Sequence, residues 1–320
     1  MLHALRSVEP ALSASPTLVV IVNRGARGAD GAPWIRIADT LRGHGLAPTF
    51  HFPRSPDEAA WIARHVARAR PAAIVAAGGD GTINTLVNAV AGIDVPLAIL
   101  PLGTANDLAR ELGIPLDAEA AARRMLDGGE RRIDLLRVNG RALCTVGGLG
   151  LPASCALAVE RLRKRGRTVG RALALLGASV YPLVAAASIL VRRGEPRRVR
   201  ITYRDPAGTE QCLETAAHGV FVANQRALGA GLALPTGSTN ADGIFELCLV
   251  RAVPRLHLLE ALACLRLGRP TPPDVFTVCA ATRARIECDS EEAFFGDGDR
   301  LVHGRHFDVR IRPRAQRVLC

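Results

Sequence analysis

The chain has 320 residues, 48% hydrophobic and 22% charged, with a formal net charge of +11. This length and ordinary globular composition predict two folded domains and exclude a disordered or fibrous protein. All 41 cationic residues except Lys164 are arginine, so a GxxxxGK[ST] phosphate loop is excluded. The eight cysteines form no CxxC pair, which favours small buried residues in a reducing cytoplasm over zinc ligands or disulfides.

The first half of the chain alternates short apolar runs with helical stretches. The runs typical of buried strands are Leu18–Asn23, Ala72–Ala77 and Leu97–Leu100. Ser55, followed by a proline and two acidic residues, predicts a helix start, and further helices over Thr82–Ala91 and Thr104–Leu112 end at glycines. This α/β alternation predicts a Rossmann-like parallel sheet covered by helices, in an N-terminal domain of residues 1–138.

The second half of the chain has a different pattern. The β-type runs RVRITY, GVFVAN, IFELCLV, RARIEC and FDVRIR are separated by glycine, proline and aspartate. Short strands at such spacing predict an antiparallel β-sandwich domain, to which we assign residues 139–320. The last residues of the chain are candidates for packing back on the first domain.

One segment, Ala172–Val191, has twenty uncharged residues, which is long enough for a membrane span. Because it is rich in alanine and contains Pro182, we favour a buried or partly lipid-facing helix over a span. The basic clusters around it suit an anionic surface of lipid headgroups or nucleic acid, or are a solvated face of an arginine-rich chain. Their members are Arg161, Arg163, Lys164, Arg165, Arg167 and Arg171 before the segment, and Arg192, Arg193, Arg197, Arg198 and Arg200 after it.

A glycine-rich motif, Gly78-Gly79-Asp80-Gly81-Thr82, lies where a predicted buried strand gives way to a helix. Glycines let the backbone approach a ligand closely, and the free amides at a helix start bind phosphate. A bare carboxylate would repel phosphate, so Asp80 predicts a nucleotide that carries magnesium. The structural alternative is a simple strand–helix turn in which Asp80 caps the helix.

A second motif, Leu100–Arg110 (LPLGTANDLAR), repeats this arrangement at the end of the next strand. Thr104 and Asp107 also have the spacing of a capping box, so a purely structural role is the alternative here too. Because open α/β sheets bind ligands at the carboxyl ends of their strands, we expect the two loops to share one nucleotide.

GGDGTIN and PLGTANDLAR together resemble the diacylglycerol kinase catalytic family of soluble bacterial lipid kinases, which is related to sphingosine and ceramide kinases. GGDGT alone also resembles loops of NAD kinases and phosphofructokinases, so the second motif carries the specificity. The resemblance runs along nearly the whole chain. It includes Arg132–Leu135, Gly219–Leu249 and the terminal motif Phe295–Asp299.

The resemblance implies a lipid kinase of phospholipid biosynthesis, in which residues 1–138 are the nucleotide-binding domain and residues 139–320 the lipid-substrate domain. Such a kinase uses ATP and Mg²⁺ and phosphorylates a primary hydroxyl of a membrane lipid. The acceptors it implies are diacylglycerol, ceramide or a sphingoid base. The residues implied in nucleotide binding are Asn23, Gly78, Gly79, Asp80, Gly81, Thr82, Asn84, Gly103, Thr104, Asn106 and Asp107. Those implied in metal binding are Asp80, Asp107 and Asp134 around a catalytic ion, and Thr239, Asp242 and Ile244 at a structural ion. The catalytic residues implied are Asp299, as the base for the hydroxyl proton, with Asp297 and Asp80.

Several positions depart from the family pattern, and two of them affect predicted site residues. Asp299 stands where the family has glutamate, and its side chain is shorter by one methylene group. Ala241 stands where another acid often precedes Asp242, which weakens the predicted structural magnesium site. Since the site has no lysine, we expect Arg24, Arg27, Arg110 or the metal to neutralise the transferred phosphoryl group.

Two alternatives stay open: a kinase of a soluble substrate, of the NAD kinase type, and a catalytically silent protein that binds anionic membranes or nucleic acid. The net charge of +11 favours the second, but an aromatic content of 4% offers few stacking platforms, so we expect no nucleic-acid partner. We expect a cytoplasmic protein that associates peripherally with anionic membranes. A homodimer and the identity of the lipid acceptor are left open.

Overall fold

The computed structural model describes residues 16–26, 28–164, 180–191, 195–229 and 232–320. The helices of these residues are α1 (Trp34–Gly43), α2 (Pro56–Ala67), α3 (Asp80–Ala89), α4 (Asp107–Glu111), α5 (Ala118–Asp127), α6 (Leu151–Lys164), α7 (Val180–Leu190) and α8 (Arg255–Leu267). The strands of the N-terminal half are β1 (Thr17–Val22), β2 (Ala47–His51), β3 (Ala73–Gly78), β4 (Leu97–Pro101), β5 (Glu130–Val138), β6 (Arg141–Leu143) and β7 (Val146–Gly150). Those that follow are β8 (Arg197–Arg204), β9 (Glu210–Ala223), β10 (Ala227–Gly229), β11 (Leu232–Ala233), β12 (Phe245–Arg251), β13 (Phe276–Ala281), β14 (Arg283–Gly296) and β15 (Asp299–Leu319).

The N-terminal sheet has the order β2-β1-β3-β4, and each of these neighbouring pairs is parallel. The predicted apolar runs are found as β1, β3 and β4, shifted by at most one residue, and they are almost wholly buried because helices cover them. The edge strand β2, whose side chains are only partly buried, was not predicted, because its sequence APTFH has no apolar pattern.

Helix starts in this domain follow from local chemistry. The Ser55 hydroxyl accepts a hydrogen bond from the Glu58 amide over 3.1 Å, and Pro56 begins α2, as the sequence predicts. The helix predicted over Thr104–Leu112 is shorter and covers Asp107–Glu111. It starts late because Asn106 has a left-handed backbone, with φ 51°, which ends the preceding turn.

The C-terminal part of the chain is built from antiparallel strands, as predicted. Strand β9 pairs with β7, β8 and β12, and β14 pairs with β7, β8 and β15. These strands enclose a core in which Phe245, Phe294 and Phe307 are fully buried. The architecture is therefore a parallel α/β domain followed by an antiparallel β domain.

The end of the chain returns to the first domain. Strand β15 begins beside β14, and its residues Val318 and Leu319 pair in parallel with β4. The buried Gln316 amide donates a hydrogen bond to the Val95 carbonyl over 3.0 Å. The last strand thus extends the N-terminal sheet and joins the two domains along one edge. The boundary predicted between residues 138 and 139 stays a prediction.

Three helices, α6, α7 and α8, form a layer against the strands of the second domain, with α7 packed on both of its neighbours. Leu151, Ile189 and Leu258 share one apolar cluster with the strand residue Val250. Among the described residues, no helix has both the length and the apolar character that a bilayer crossing needs. Part of the predicted apolar segment, residues 172–179, lies outside the described residues. So do five of the basic residues around it: Arg165, Arg167, Arg171, Arg192 and Arg193.

Candidate active site

The two glycine loops lie against each other. A Cβ atom added to Gly103 would lie 2.5 Å from the Gly79 Cα and 2.7 Å from the Asn106 Oδ1, so glycine is required there. The Leu102 amide donates to the Gly78 carbonyl over 2.9 Å, which joins the ends of β3 and β4. The two glycine loops therefore lie side by side in the structure, as the sequence predicts.

Side chains within the loops hold them in shape. The Asn106 Oδ1 accepts from the Gly103 amide over 2.9 Å, and its Nδ2 donates back to the Gly103 carbonyl over 3.1 Å. The Asn23 amide donates to the Thr82 hydroxyl over 3.0 Å. The Asp80 Oδ1 accepts from the Leu108 amide at the start of α4. Asn106 thus shapes its own turn and does not line the cavity beside it.

One cavity of about 1050 Å³ runs from these loops into the second domain. Its polar end is lined by Asn23, Arg24, Arg54, Gly79, Asp80, Gly81, Thr82, Gly103, Thr104, Asp107, Thr145, Asp297 and Asp299. Its other end is apolar and is lined by Leu151, Val159, Ala185, Ile189, Phe221, Leu228, Leu232, Val250, Leu258, Leu262, Leu265, Val275 and Phe276. Asp80, Thr104 and Asp299, from three separate motifs, face the same space.

Three carboxyl groups crowd the polar end. Burial, and then the charge of Asp297, raise the pKa of Asp80 to about 6. Burial, followed by the charges of Asp80 and Asp297, raises the pKa of Asp107 to about 8, against the opposing effect of Arg110. Burial also raises the pKa of Asp297. Such a cluster disfavours its own ionisation until a cation arrives.

The two acids of the terminal motif differ in environment. Asp297 is buried and accepts hydrogen bonds from the Cys144 and Thr145 amides, the Thr145 hydroxyl and the Asn84 amide, over 2.5–3.0 Å. Asp299 is exposed to the cavity, and its Oδ2 lies 3.0 Å from where a Cβ on Gly81 would stand. Asp297 holds the turn, and Asp299 faces the space beside the first glycine loop.

Asn84 lies away from the cavity lining. It is buried, and its Nδ2 donates to the Asp297 carboxylate over 2.6 Å and to the Ala142 carbonyl over 2.8 Å. Its position supports Asp297, and its contact with a nucleotide stays a prediction. Gly78 is likewise inside β3 and outside the lining.

Asp134, the third metal ligand that the resemblance implies, is held by backbone amides. It is fully buried, and its two oxygens accept from the Arg314 and Gly243 amides, each over 2.7 Å. The third charge that acts on Asp80 and Asp107 is that of Asp297. Asp134 lies on β5 opposite the bend of β15, a contact set by long-range strand pairing, and its role at a metal stays a prediction.

The predicted structural metal residues form a self-contained loop. The Asp242 Oδ2 accepts from the Thr239 hydroxyl over 2.9 Å, and its Oδ1 accepts from the Ile244 amide over 3.1 Å. The described parts of the chain contain no group of three His, Cys, Asp or Glu side chains placed to hold a metal. A metal at this loop stays a prediction.

The residues of the lining that the sequence did not reveal include Thr145 and Arg54. Thr145 follows a short strand and lacks any motif, yet its hydroxyl binds Asp297. Arg54 lies directly before the helix cap Ser55 and, with Arg24, brings positive charge to the polar end. Of the other arginines expected there, Arg110 donates from its Nε to the Ala105 carbonyl and does not line the cavity, and Arg27 lies outside the described residues.

Comparison with known families gives two matches in the order of the two domains. A diacylglycerol kinase catalytic domain model matches residues 17–138, and a YegS C-terminal NAD kinase beta sandwich-like domain model matches residues 164–320. The chain belongs to the diacylglycerol kinase family of lipid kinases. This kinase is thus a transferase whose family membership implies ATP as phosphoryl donor.

Individual relatives agree with this membership. The kinase is 40% identical to the "Probable lipid kinase YegS-like" of Pseudomonas aeruginosa over 256 residues, covering 77% of this chain and 76% of that protein. It is 29% identical to the "Diacylglycerol kinase" of Mycobacterium tuberculosis over 247 residues, covering 74% of each. A solved structure described as a diacylglycerol kinase from Bacillus anthracis has the same fold, with a TM-score of 0.70 at 18% identity, covering 95% of this chain and 96% of that one.

Proposed function

We propose that this kinase transfers the γ-phosphate of ATP to a primary hydroxyl of a membrane lipid, with diacylglycerol, ceramide and a sphingoid base as candidate acceptors. The observation that carries the proposal is the single cavity that joins both glycine loops and Asp299 to a long apolar end. A kinase of a soluble substrate has no need of such an apolar end. The lipid-kinase assignment of the family supports the same conclusion.

The polar end suits a triphosphate. Helix α3 begins at Asp80, directly after Gly79, and a helix start favours phosphate; Gly79 and Gly81 line the cavity there without side chains. Arg24 and Arg54 supply the positive charge that a lysine gives in other phosphate loops. We also propose that the parallel sheet behind these loops is of the Rossmann-like type, with the nucleotide at the carboxyl ends of β3 and β4.

Asp80 and Asp107 fit a magnesium site. They are buried enough, and close enough to each other, for their pKa values to rise to about 6 and about 8, and a divalent cation would relieve that repulsion. Protein-bound Mg²⁺ commonly takes only one or two carboxylates, with phosphate oxygens and waters completing its shell, so two acids suffice. When bound, the ion would neutralise charge on the phosphates. Asp134 and the loop of Thr239, Asp242 and Ile244 are further proposed ligands with less support.

Asp299 is the proposed general base. Phosphoryl transfer asks the protein mainly for positioning and charge neutralisation, plus one group that accepts the proton of the attacking hydroxyl. Asp299 lies on the cavity side of its turn, beside Gly81, so it can meet a hydroxyl that enters from the apolar end. Asp297 holds that turn through its buried hydrogen bonds, and this compensates for the short side chain at position 299.

The apolar end is the proposed place of the acyl or alkyl chain. It is walled by the inner faces of α7 and α8 and by the outward side chains of β9 and β12, such as Phe221 and Val250. Each methylene group removed from water there contributes about 0.8 kcal/mol, so a long chain would give much of the binding free energy.

The test is a labelled-ATP assay over a panel of lipids, with mass spectrometry of the product. The wild-type kinase is expected to label a lipid, and Asp299→Asn to lower kcat at least about a hundredfold, as loss of a general base does. Asp39→Asn, an exposed acid of α1 that pairs with Arg42, is the matched control and should keep full activity. Labelling of a nucleoside or sugar but of no lipid would contradict the proposed acceptor, and silence on every substrate would favour a binding protein.

A further inference from the structure

Helix α7 presents an unbroken apolar face to solvent. Its exposed positions Leu183, Ala187 and Leu190 are spaced four and three residues apart, so they share one face of the helix. The two leucines are 57% and 60% exposed, and Val191 continues the face past the end of the helix at 62%. A helix on a protein surface ordinarily carries polar residues on this side.

The neighbouring helix α8 extends this surface at both of its ends. Leu256 is 73% exposed at its start and Leu267 is 63% exposed at its end. Between them Glu260 and Ala263 lie on the same exposed side. The face of α8 is therefore apolar at its ends and acidic in its middle, whereas the exposed face of α7 carries no charge among its described residues.

The opposite sides of the same two helices line the proposed lipid cavity. Ala185 and Ile189 of α7 face it, and so do Leu258, Ala261 and Leu265 of α8. Helix α7 thus has one apolar side toward the cavity and another toward solvent, whereas the solvent side of α8 is apolar only at its ends.

Basic residues edge the apolar surface. A groove of about 250 Å³ between α6 and α7 is lined by Val184, Ala187 and Val191, with Arg161 beside them. Arg266 and Arg269 stand on either side of Leu267 in the chain and are exposed. Apolar side chains within a margin of arginine match the boundary of an anionic bilayer, where acyl chains lie beneath negative headgroups.

We propose that the outer face of α7, together with the ends of α8, docks on an anionic phospholipid bilayer, and that the lipid acceptor enters the cavity between these two helices. The entry route rests on the proposed function, whereas the docking itself needs no catalysis. A bilayer is the favoured occupant because the surface combines exposed leucines with basic margins and lies on the helices whose other sides line an apolar cavity.

The binding test uses the full-length chain and vesicles of equal parts phosphatidylglycerol and phosphatidylcholine. The double variant Leu183→Glu, Leu190→Glu places charge on the face of α7 without touching the cavity lining. We expect its vesicle partition coefficient, from co-sedimentation, to fall about a hundredfold, because two leucines lose their apolar insertion. Ile35→Glu is the matched control, since Ile35 is 79% exposed on α1 of the first domain, and it should bind as the wild type does.

A second measurement separates docking from catalysis. The double variant should phosphorylate a short-chain, monodisperse diacylglycerol at the wild-type rate, which also shows that it is folded, while its rate on long-chain acceptor in vesicles falls at least tenfold. Vesicle binding equal to that of the wild type, or an equal loss in Ile35→Glu, would overturn the docking proposal. If no lipid is phosphorylated by the wild type but the double variant still loses vesicle binding, docking stands and the proposed kinase substrate is wrong.

Discussion

The two acids of the terminal motif should separate stability from turnover. The Asp297 Oδ2 accepts hydrogen bonds from the Asn84 Nδ2 over 2.6 Å and from the Cys144 amide over 2.8 Å. In Asp297→Asn an amide nitrogen would stand in its place and face both donors. In Asp299→Asn the altered group faces the cavity instead. We therefore expect the first variant to lose stability and the second to lose activity with its stability kept.

The magnitude follows from the burial of Asp297. Two buried donors left without an acceptor lower the free energy of unfolding by about 1–3 kcal/mol each. Removal of a desolvated charge stabilises the folded state and offsets part of this loss. The net loss in the free energy of unfolding should be about 2–4 kcal/mol. For a chain of this length, the unfolding entropy means that a loss of 1 kcal/mol in the free energy of unfolding lowers the melting temperature by about 1.5 °C. The melting temperature of Asp297→Asn should therefore fall by about 3–6 °C.

The assay is thermal unfolding of both variants beside labelled-ATP turnover under one set of conditions. Asp299→Asn is the matched control for stability, since it makes the same chemical change two residues away, and it should melt within about 1 °C of the wild type. If Asp297→Asn melts like the wild type, the assignment of Asp297 to a structural role is refuted. Equal melting losses in both variants would refute the separation of their roles.

Three further outcomes are expected. Gly103→Ala should raise the KM for ATP at least about tenfold, measured by steady-state kinetics, because its Cβ would lie 2.5 Å from the Gly79 backbone. The ligand-free protein should lose stability as pH rises from about 4 to 8, because the raised pKa values of Asp80 and Asp107 mean that the folded state holds protons the unfolded state has released. Thermal melting against pH measures this, and Asp107→Asn should flatten the slope. Arg317→Ala should lower the free energy of unfolding in urea by about 1 kcal/mol, since it breaks two ion pairs beside the chain end.

Each outcome has a comparison within the chain. Gly31→Ala adds a Cβ with no atom within 4 Å and should leave the KM unchanged. A stability that rises between pH 4 and 8, or a slope unchanged in Asp107→Asn, would contradict the crowding of the acids. Arg42→Ala breaks an exposed pair within one helix, and an equal effect from Arg317→Ala would show that the chain-end pairs add nothing.

Much of the fold was predictable because its signals are local. The strands β1, β3 and β4 follow from apolar runs of strand length, and Ser55 with Pro56 determines where α2 begins. Edge strand β2 was missed because a partly exposed strand needs no apolar pattern. The late start of α4 was missed because it depends on the left-handed backbone of Asn106, which the capping-box spacing does not reveal.

The motifs of the candidate site were likewise visible in the sequence, since each is a contiguous run of residues that directly follows an apolar strand. The sequence did not show which of the acidic side chains lie close together. Asp297 joins Asp80 and Asp107, while Asp134 turns to the bend of β15 and binds Arg314 and Gly243 amides.

By itself, the sequence determined the alternation of strands and helices, the two glycine loops at neighbouring strand ends and the family of this kinase. Only the tertiary structure decided that the last strand joins β4, that one cavity runs from Asp80 to the wall of α7, and that Leu183 and Leu190 face outward. The physical reason is the sequence separation over which the interactions act. Periodicity and capping act within a few residues, whereas strand register and the packing of a helix layer depend on contacts between distant parts of the chain, which no local pattern records.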